Sequence, residues 1–206
     1  MHFNNDDFPI LNLGSSTKKF REEDQSHIHE EIFYPLLKKN LKVIHTDIKK
    51  FDGVDIVGNI NDLKFRNSLK KIGIKSILCS NLLEHIKTPT LMVRSILDIL
   101  PDNGKLIVTT PYYFPYHKDP IDTLLRPTIE DLELLFKDLK KISSSTITSN
   151  NNLLKVLKSN PRYLLIMILR WVTPFYKFYE WKLHFKDLLK LRKNFSANCV
   201  VFKKIT

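Results

Sequence analysis

Two short stretches of the chain carry residue types that hold a nucleoside. Ile10-Leu-Asn-Leu-Gly-Ser-Ser16 is an apolar run ending in a glycine and two small hydroxyl residues, followed by a charged, helix-compatible stretch over residues 17–40. That pattern predicts a buried parallel strand turning sharply into a helix. Turns of this kind at the carboxyl edge of an open sheet are where α/β domains hold nucleotides. Glycine suits the position because the backbone bends tightly and a ligand approaches where no side chain stands. Asp47, 33 positions after Gly14, closes a second apolar run. A carboxylate there accepts hydrogen bonds from both ribose hydroxyls of an adenosine. Taken singly, Gly14 also reads as an ordinary strand-to-helix turn, and Asp47 as a strand-end residue capping a turn. Gly14 lacks the companions of the three-glycine dinucleotide fingerprint and no Walker loop occurs, which disfavours nicotinamide, flavin and ATP.

The elements that must position these residues alternate along the chain. Strands are predicted at 10–13, 41–45, 54–57, 76–79, 105–110, 140–148 and 195–203, from apolar or alternating runs bounded by turn residues. Helices are predicted at 19–40, 67–72, 89–100 and 127–136, with Thr88 as an N-cap and Pro127 in a first turn. Strand–helix alternation through the first five strands demands a parallel sheet covered on both faces. The expectation is a Rossmann-like, doubly wound, mostly parallel α/β sheet of seven strands. Its last strand is antiparallel and a helical insertion (residues 151–193) precedes it, all within a single domain over residues 1–206.

The totals set bounds. A chain of 206 residues, 43% hydrophobic and 27% charged, is ordinary for a globular protein that buries a real core. Cys79 and Cys199 lie in apolar, strand-like runs and read as reduced core residues, which points to the cytoplasm. The polar, acidic opening Met-His-Phe-Asn-Asn-Asp-Asp carries no secretion signal, and no apolar run is long enough to span a bilayer. Residues 151–193 hold ten bases against Glu180 and Asp187, a balance of +8 out of the chain's +11. A nucleic-acid coating would spread its charge more widely, so nucleic acid is disfavoured.

Taken together, the motifs resemble those of class I S-adenosylmethionine (SAM)-dependent methyltransferases, in the branch acting on small molecules and sugars. Ile10–Ser16 is similar to the first motif of that family, Val43-Ile-His-Thr-Asp-Ile48 to the second, and Asp55-Ile-Val-Gly-Asn-Ile-Asn-Asp-Leu63 to the adenine-side third. Ser76-Ile-Leu-Cys-Ser-Asn-Leu-Leu-Glu-His-Ile86 resembles the fourth-strand motif, where Leu-Glu-His is typical. Leu100-Pro-Asp-Asn-Gly-Lys-Leu-Ile-Val-Thr-Thr-Pro111 resembles the turn and fifth strand, and Phe114-Pro-Tyr-His-Lys-Asp-Pro-Ile-Asp122, with Arg126 and Thr128, a stretch common in the branch. The resemblance covers residues 9–136. It implies SAM as cofactor, with Gly14, Ser15 and Ser16 lining its amino-acid part, and Asp47 with the adjacent Ile48 at the ribose. Asn59, Ile60 and Asn61 would flank the adenine, and Ser80, Asn81 and Leu82 would face the sulfonium. Ser16 stands where the family usually has a second glycine, Asn12 where it has an acid, and Asn59 where it has Asp. These departures keep open a second reading, a methyltransferase-like binding or scaffold protein without turnover.

Methyl transfer is an in-line displacement that depends on alignment and exclusion of water, and a hydroxyl nucleophile gains from a general base. His117 and Asp122, after the fifth strand, are the candidates, and Arg126 is a candidate for an anionic substrate group. The same three residues also read as a structural network of their loop. His27 and His29 do not make a metal site, because residues two apart on a helix diverge. The aromatic, basic insertion reads as a lid over a small-molecule or glycan acceptor, as a surface in peripheral contact with the inner membrane, or as packed helices with solvated basic faces. The family context adds surface-polysaccharide synthesis as a setting.

Overall fold

Short apolar runs such as Ile10–Leu13, buried along their whole length, form strands shielded on both faces, and the sheet is built on them. The computed structural model describes residues 3–117 and 121–205. Lys118, Asp119 and Pro120, part of the loop stretch that resembles the family, lie outside the described residues, as do Met1, His2 and Thr206. Strands β1 (Ile10–Leu13), β2 (Val43–Asp47), β3 (Ile56–Val57), β4 (Ser76–Ser80), β5 (Lys105–Tyr113), β6 (Lys140–Asn152) and β7 (Asn194–Lys203) form one sheet in the order β3-β2-β1-β4-β5-β7-β6. β1 to β5 pair in parallel, whereas β7 runs antiparallel to both β5 and β6. The predicted seven-stranded, mostly parallel sheet with an antiparallel last strand is the observed one.

Side chains alternate across the sheet, as the pleat requires. Leu11, Leu13, Ile77, Cys79, Leu106 and Val108 join the larger core, while Ile10, Leu78, Ile107 and Val201 join the smaller one on the opposite face. Helices α2 (Leu63–Ile72), α3 (Pro89–Ile99) and α4 (Ile129–Leu135) cover the larger core through Leu69, Met92, Ile96 and Leu132. Helix α1 (Tyr34–Lys38) reaches the smaller core through Leu36.

Several boundaries differ from expectation for local reasons. The single helix expected over 19–40 is broken: Phe20–Asp24 and His29–Phe33 are π-helical turns ahead of α1. α2 starts at Leu63, not 67, because the Asp62 side chain caps it by accepting from the N–H groups of Lys64 and Phe65. Thr88 makes no side-chain cap. Thr128 does, in a reciprocal capping box with Asp131, so α4 begins at Ile129 and Pro127 lies outside it. β6 runs four residues past its expected end, through a register shift between Thr148 and Asn152.

Residues 151–193 form α5 (Leu153–Ser159), α6 (Pro161–Trp171) and α7 (Phe178–Leu188), as the expected helical insertion. β6 is parallel to β1–β5 and β7 returns antiparallel, so both ends of the insertion attach at the carboxyl edge of the parallel strands. Among the described residues no helix is long and apolar enough to cross a membrane.

Candidate active site

The turn after β1 is tied to the end of β2. Gly14 takes φ +71° and Ser16 φ +56°, a left-handed conformation that costs a residue with a side chain about 1–2 kcal/mol. The N–H groups of Gly14 and Ser15 both donate to the Thr46 carbonyl, at 2.9 and 3.0 Å, and Ser16 N–H donates to Asp47 Oδ2 at 3.0 Å. Asp47 Oδ1 accepts from Lys49 N–H at 3.1 Å. A Cβ on Gly14 would lie 2.7 Å from Leu82 Cδ1, so the loop after β4 rests directly on this glycine. Gly14, Ser15, Ser16, Asp47 and Leu82 are thereby brought together. Ser80 bonds Thr109 side chain to side chain at 2.7 Å, and Asn81, at φ +47°, donates its N–H to the Thr109 carbonyl. Both residues hold the β4 and β5 ends side by side at the same edge.

Arg21 was not among the expected residues, yet it clamps this turn from below. It is only 5% exposed. Its Nη1 donates to the carbonyls of Ser15 and Ser16, both at 2.8 Å, and its Nη2 to the Gly53 carbonyl at 2.7 Å. Burial pulls its pKa below the usual guanidinium range, against the carboxylates of Glu22, Asp55, Asp52 and Asp47. One cation thus joins the turn after β1 to the turn after β2. Nothing in linear spacing separates Arg21 from Lys18 and Lys19 beside it.

Asn12, where the family resemblance expects an acid, faces His45 across the β1–β2 register, with Nδ2 3.0 Å from Nδ1. Burial, then the nearby Arg21 cation, lowers the His45 pKa to about 4, so the ring is neutral and the pair carries no charge. At the β3 edge, Asn59 Oδ1 accepts from Asn61 N–H at 3.0 Å, and Asn61 Oδ1 bonds Ser95 Oγ at 3.0 Å. The Ile60 side chain, expected at this edge, is buried in the larger core. Ile48, beside Asp47, is an exposed apolar side chain there instead.

The loop after β5 gathers the candidate acid–base groups. The Asp122 side chain is 0% exposed and His117 is 31% exposed, with His117 Nδ1 3.2 Å from Asp122 Oδ2. Arg126 grips the same carboxylate in bidentate fashion, Nη1 to Oδ1 at 3.0 Å and Nη2 to Oδ2 at 2.7 Å. The N–H groups of His117 and Leu124 donate to it as well. Burial alone would raise the Asp122 pKa, but the Arg126 bond and these N–H groups outweigh it and hold the carboxyl below its ordinary range. The Asp122 carboxylate is enclosed by its partners and Arg126 is paired with it, as in the structural loop network that the sequence also allowed. Of the three candidates, His117 is the most accessible. His85 stacks edge-on against it at 5.4 Å and bonds the Ile121 carbonyl. Glu84 is buried with Oε2 unpartnered, and burial raises its pKa. Its carbonyl anchors the loop by accepting from Thr123 N–H and Oγ1.

The insertion docks on that loop. Tyr116 N–H donates to Asp187 Oδ2 at 3.2 Å, Tyr113 O–H donates to the Lys190 carbonyl at 3.2 Å, and the Phe114 and Phe195 rings lie 4.8 Å apart. Burial lifts the Asp187 carboxyl to about 6. Among the described residues no group of three or more His, Cys, Asp or Glu is placed to hold a metal ion.

The fold built from these elements is that of the SAM-dependent methyltransferases, a fold also carried by a protein described as a cyclase. The [4+2]-cyclase SpnF is similar with a TM-score of 0.56 and 13% identity, covering 96% of this chain and 75% of that one. A SAM-dependent methyltransferase from Anabaena variabilis is similar with a TM-score of 0.54 and 15% identity, covering 98% of this chain and 79% of that one. The MccD protein is similar with a TM-score of 0.52 and 15% identity, covering 95% and 89%. No family model and no curated protein matches the chain.

Proposed function

We propose that this protein, as one domain over its 206 residues, transfers a methyl group from SAM to a hydroxyl of a small-molecule or glycan acceptor. The observation that carries the reading is the convergence, at one edge of a methyltransferase-type sheet, of the Gly14 turn, the Asp47 carboxylate and the His117–Asp122 pair. The residues fit the cofactor. Each Asp47 oxygen accepts one backbone N–H and keeps a lone pair for a ribose hydroxyl. The Gly14 carbonyl has no donor among the described residues and suits an ammonium group. A side chain on Gly14 would fill the cradle that it forms with Leu82. Ser15, Ile48, Asn59, Ser80 and Asn81 belong to the same proposed site, with Asn61 contributing through the turn it makes with Asn59.

When bound, SAM supplies an electrophilic methyl group on a sulfonium. His117 Nδ1 bonds the Pro115 carbonyl at 3.3 Å and lies 3.2 Å from Asp122 Oδ2, so Nδ1 carries the proton and Nε2 is left as the acceptor for the proton of the nucleophilic hydroxyl. Asp122 then stabilises the imidazolium, and Arg126 holds Asp122 in place; both are positioning residues. We place the acceptor in surface-polysaccharide synthesis, at the cytoplasmic face of a membrane that the basic, aromatic insertion touches.

Calorimetry with S-adenosylhomocysteine tests the cofactor, and no binding of it or of SAM at millimolar ligand would end the proposal. In an acceptor screen with labelled SAM, His117→Gln is expected to lose about 10²–10⁴-fold in kcat with cofactor affinity unchanged. A second reading, a scaffold without turnover, is favoured by one observation: the N–H groups of Gly14, Ser15 and Ser16 are all turned to β2 instead of to a ligand. Methyl transfer to any acceptor rules it out.

A further inference from the structure

α6 is apolar on both sides, which a helix facing water is not. Its inner side packs Tyr163, Leu164, Met167 and Trp171 against Leu153 and Leu157 of α5. Its outer side exposes Leu165, Ile166 and Leu169, and ends at Val172, which is 64% exposed. The apolar surface continues through the connection to α7, where Phe175 is 86% exposed and Tyr176, Phe178 and Tyr179 also face outward. A continuous patch of this kind on a soluble chain marks a surface that something covers.

The charges identify what covers it. Both acids of the insertion are turned inward: Glu180 pairs with Arg170 at 3.5 Å and Asp187 accepts from the Tyr116 N–H. The bases around the patch, including Arg162, Lys177, Lys182 and Lys186, are exposed. Two of them interleave with the aromatics, Lys177 lying 5.4 Å from the Tyr176 ring centre and Lys182 5.8 Å from that of Phe178. Aromatic and aliphatic tips ringed by long cationic side chains match the boundary between acyl chains and anionic headgroups. A second copy of the chain fits worse, because a symmetric contact would set this basic patch against itself.

We infer that the outer face of α6 and the α6–α7 connection dock on an anionic lipid bilayer, and that the acceptor is carried on a lipid of that bilayer. The second half rests on the methyl-transfer reading. It follows from where the insertion sits: its ends join β6 and β7 at the carboxyl edge, Asp187 holds it to the loop that carries His117, and Lys190 holds it to the end of β5. A bilayer against α6 therefore lies beside the acceptor site.

The full-length protein is floated with vesicles of phosphatidylglycerol and phosphatidylcholine, and with phosphatidylcholine alone. The expected result is at least about tenfold stronger partitioning to the anionic vesicles, weakened by added salt. The double variant Phe175→Ser, Tyr179→Ser alters only exposed side chains. It is expected to lose about tenfold or more of that binding, with an unchanged melting curve and unchanged S-adenosylhomocysteine affinity. Equal partitioning to both vesicles, or none, overturns the docking. Dimerisation abolished by the double variant, without vesicle binding, overturns it in favour of a second copy. Vesicle binding without any cofactor binding leaves the docking standing and overturns the lipid-borne acceptor together with the methyl-transfer reading.

Discussion

Replacing Arg21 by methionine removes three charged hydrogen bonds while keeping most of the side chain's length. The bonds run to the carbonyls of Ser15, Ser16 and Gly53 at 2.8, 2.8 and 2.7 Å. A hydrogen bond involving a charged group contributes about 1.5–3 kcal/mol net. Simple addition overstates the loss, because methionine no longer requires a guanidinium to be desolvated, a cost of several kcal/mol that the lowered Arg21 pKa reflects. A net destabilisation of about 2–4 kcal/mol is the expected outcome, read as a lower urea midpoint at unchanged m-value. Amide exchange should speed up most at Ser16, whose bond to Asp47 depends on the clamp. S-adenosylhomocysteine affinity should fall with it. Arg21→Lys recovers less than half of the loss, since one ammonium on a shorter stem cannot reach all three carbonyls. If Arg21→Met unfolds within about 0.5 kcal/mol of the parent, below the ordinary range for a lost buried network, the clamp contributes nothing and the reasoning fails.

Two further outcomes concern protonation. The His45 pKa is lowered from 6.5 to about 4, so its contribution to stability is present above pH 6.5 and lost as pH falls towards 4. Asn12→Asp sets a carboxylate against Nδ1, and the ring should titrate at least about one unit higher by NMR; a value still near 4 refutes the pairing. Asp187 is raised from 3.8 to about 6. Its contribution to docking the insertion is full below pH 3.8 and lost as pH rises through 6. Hydrogen-exchange protection at Tyr116 should decline across that window and stay flat in Asp187→Asn, and an identical decline in the variant would remove Asp187 as the cause.

The elements were legible in the sequence where burial imposes a local pattern. β1 and β4 are mostly apolar because parallel central strands are covered on both faces, with Asn12 the polar exception inside β1, and Gly14 marks the turn because a side chain there would meet Leu82. Asp47 was visible as the acid ending β2. The spacing over 19–40 is compatible with one continuous helix, whereas the chain inserts π-helical turns at Phe20–Asp24 and His29–Phe33.

The sequence by itself determined which residue types stand at each strand end, and so the fold and the candidate chemistry. Only the tertiary structure decided which of them reach the edge. Ile60 turned into the core, Asp122 and Arg126 closed on each other and left His117 accessible, and Arg21 entered from a charged run to hold two turns at once. It also turned Glu180 and Asp187 inward, leaving the outer face of the insertion apolar and cationic. The physical reason is common to all of these. A strand's period records which side is buried, but a polar side chain's role depends on which partners three-dimensional packing brings within about 3 Å, hydrogen-bond range, and linear spacing does not encode that distance.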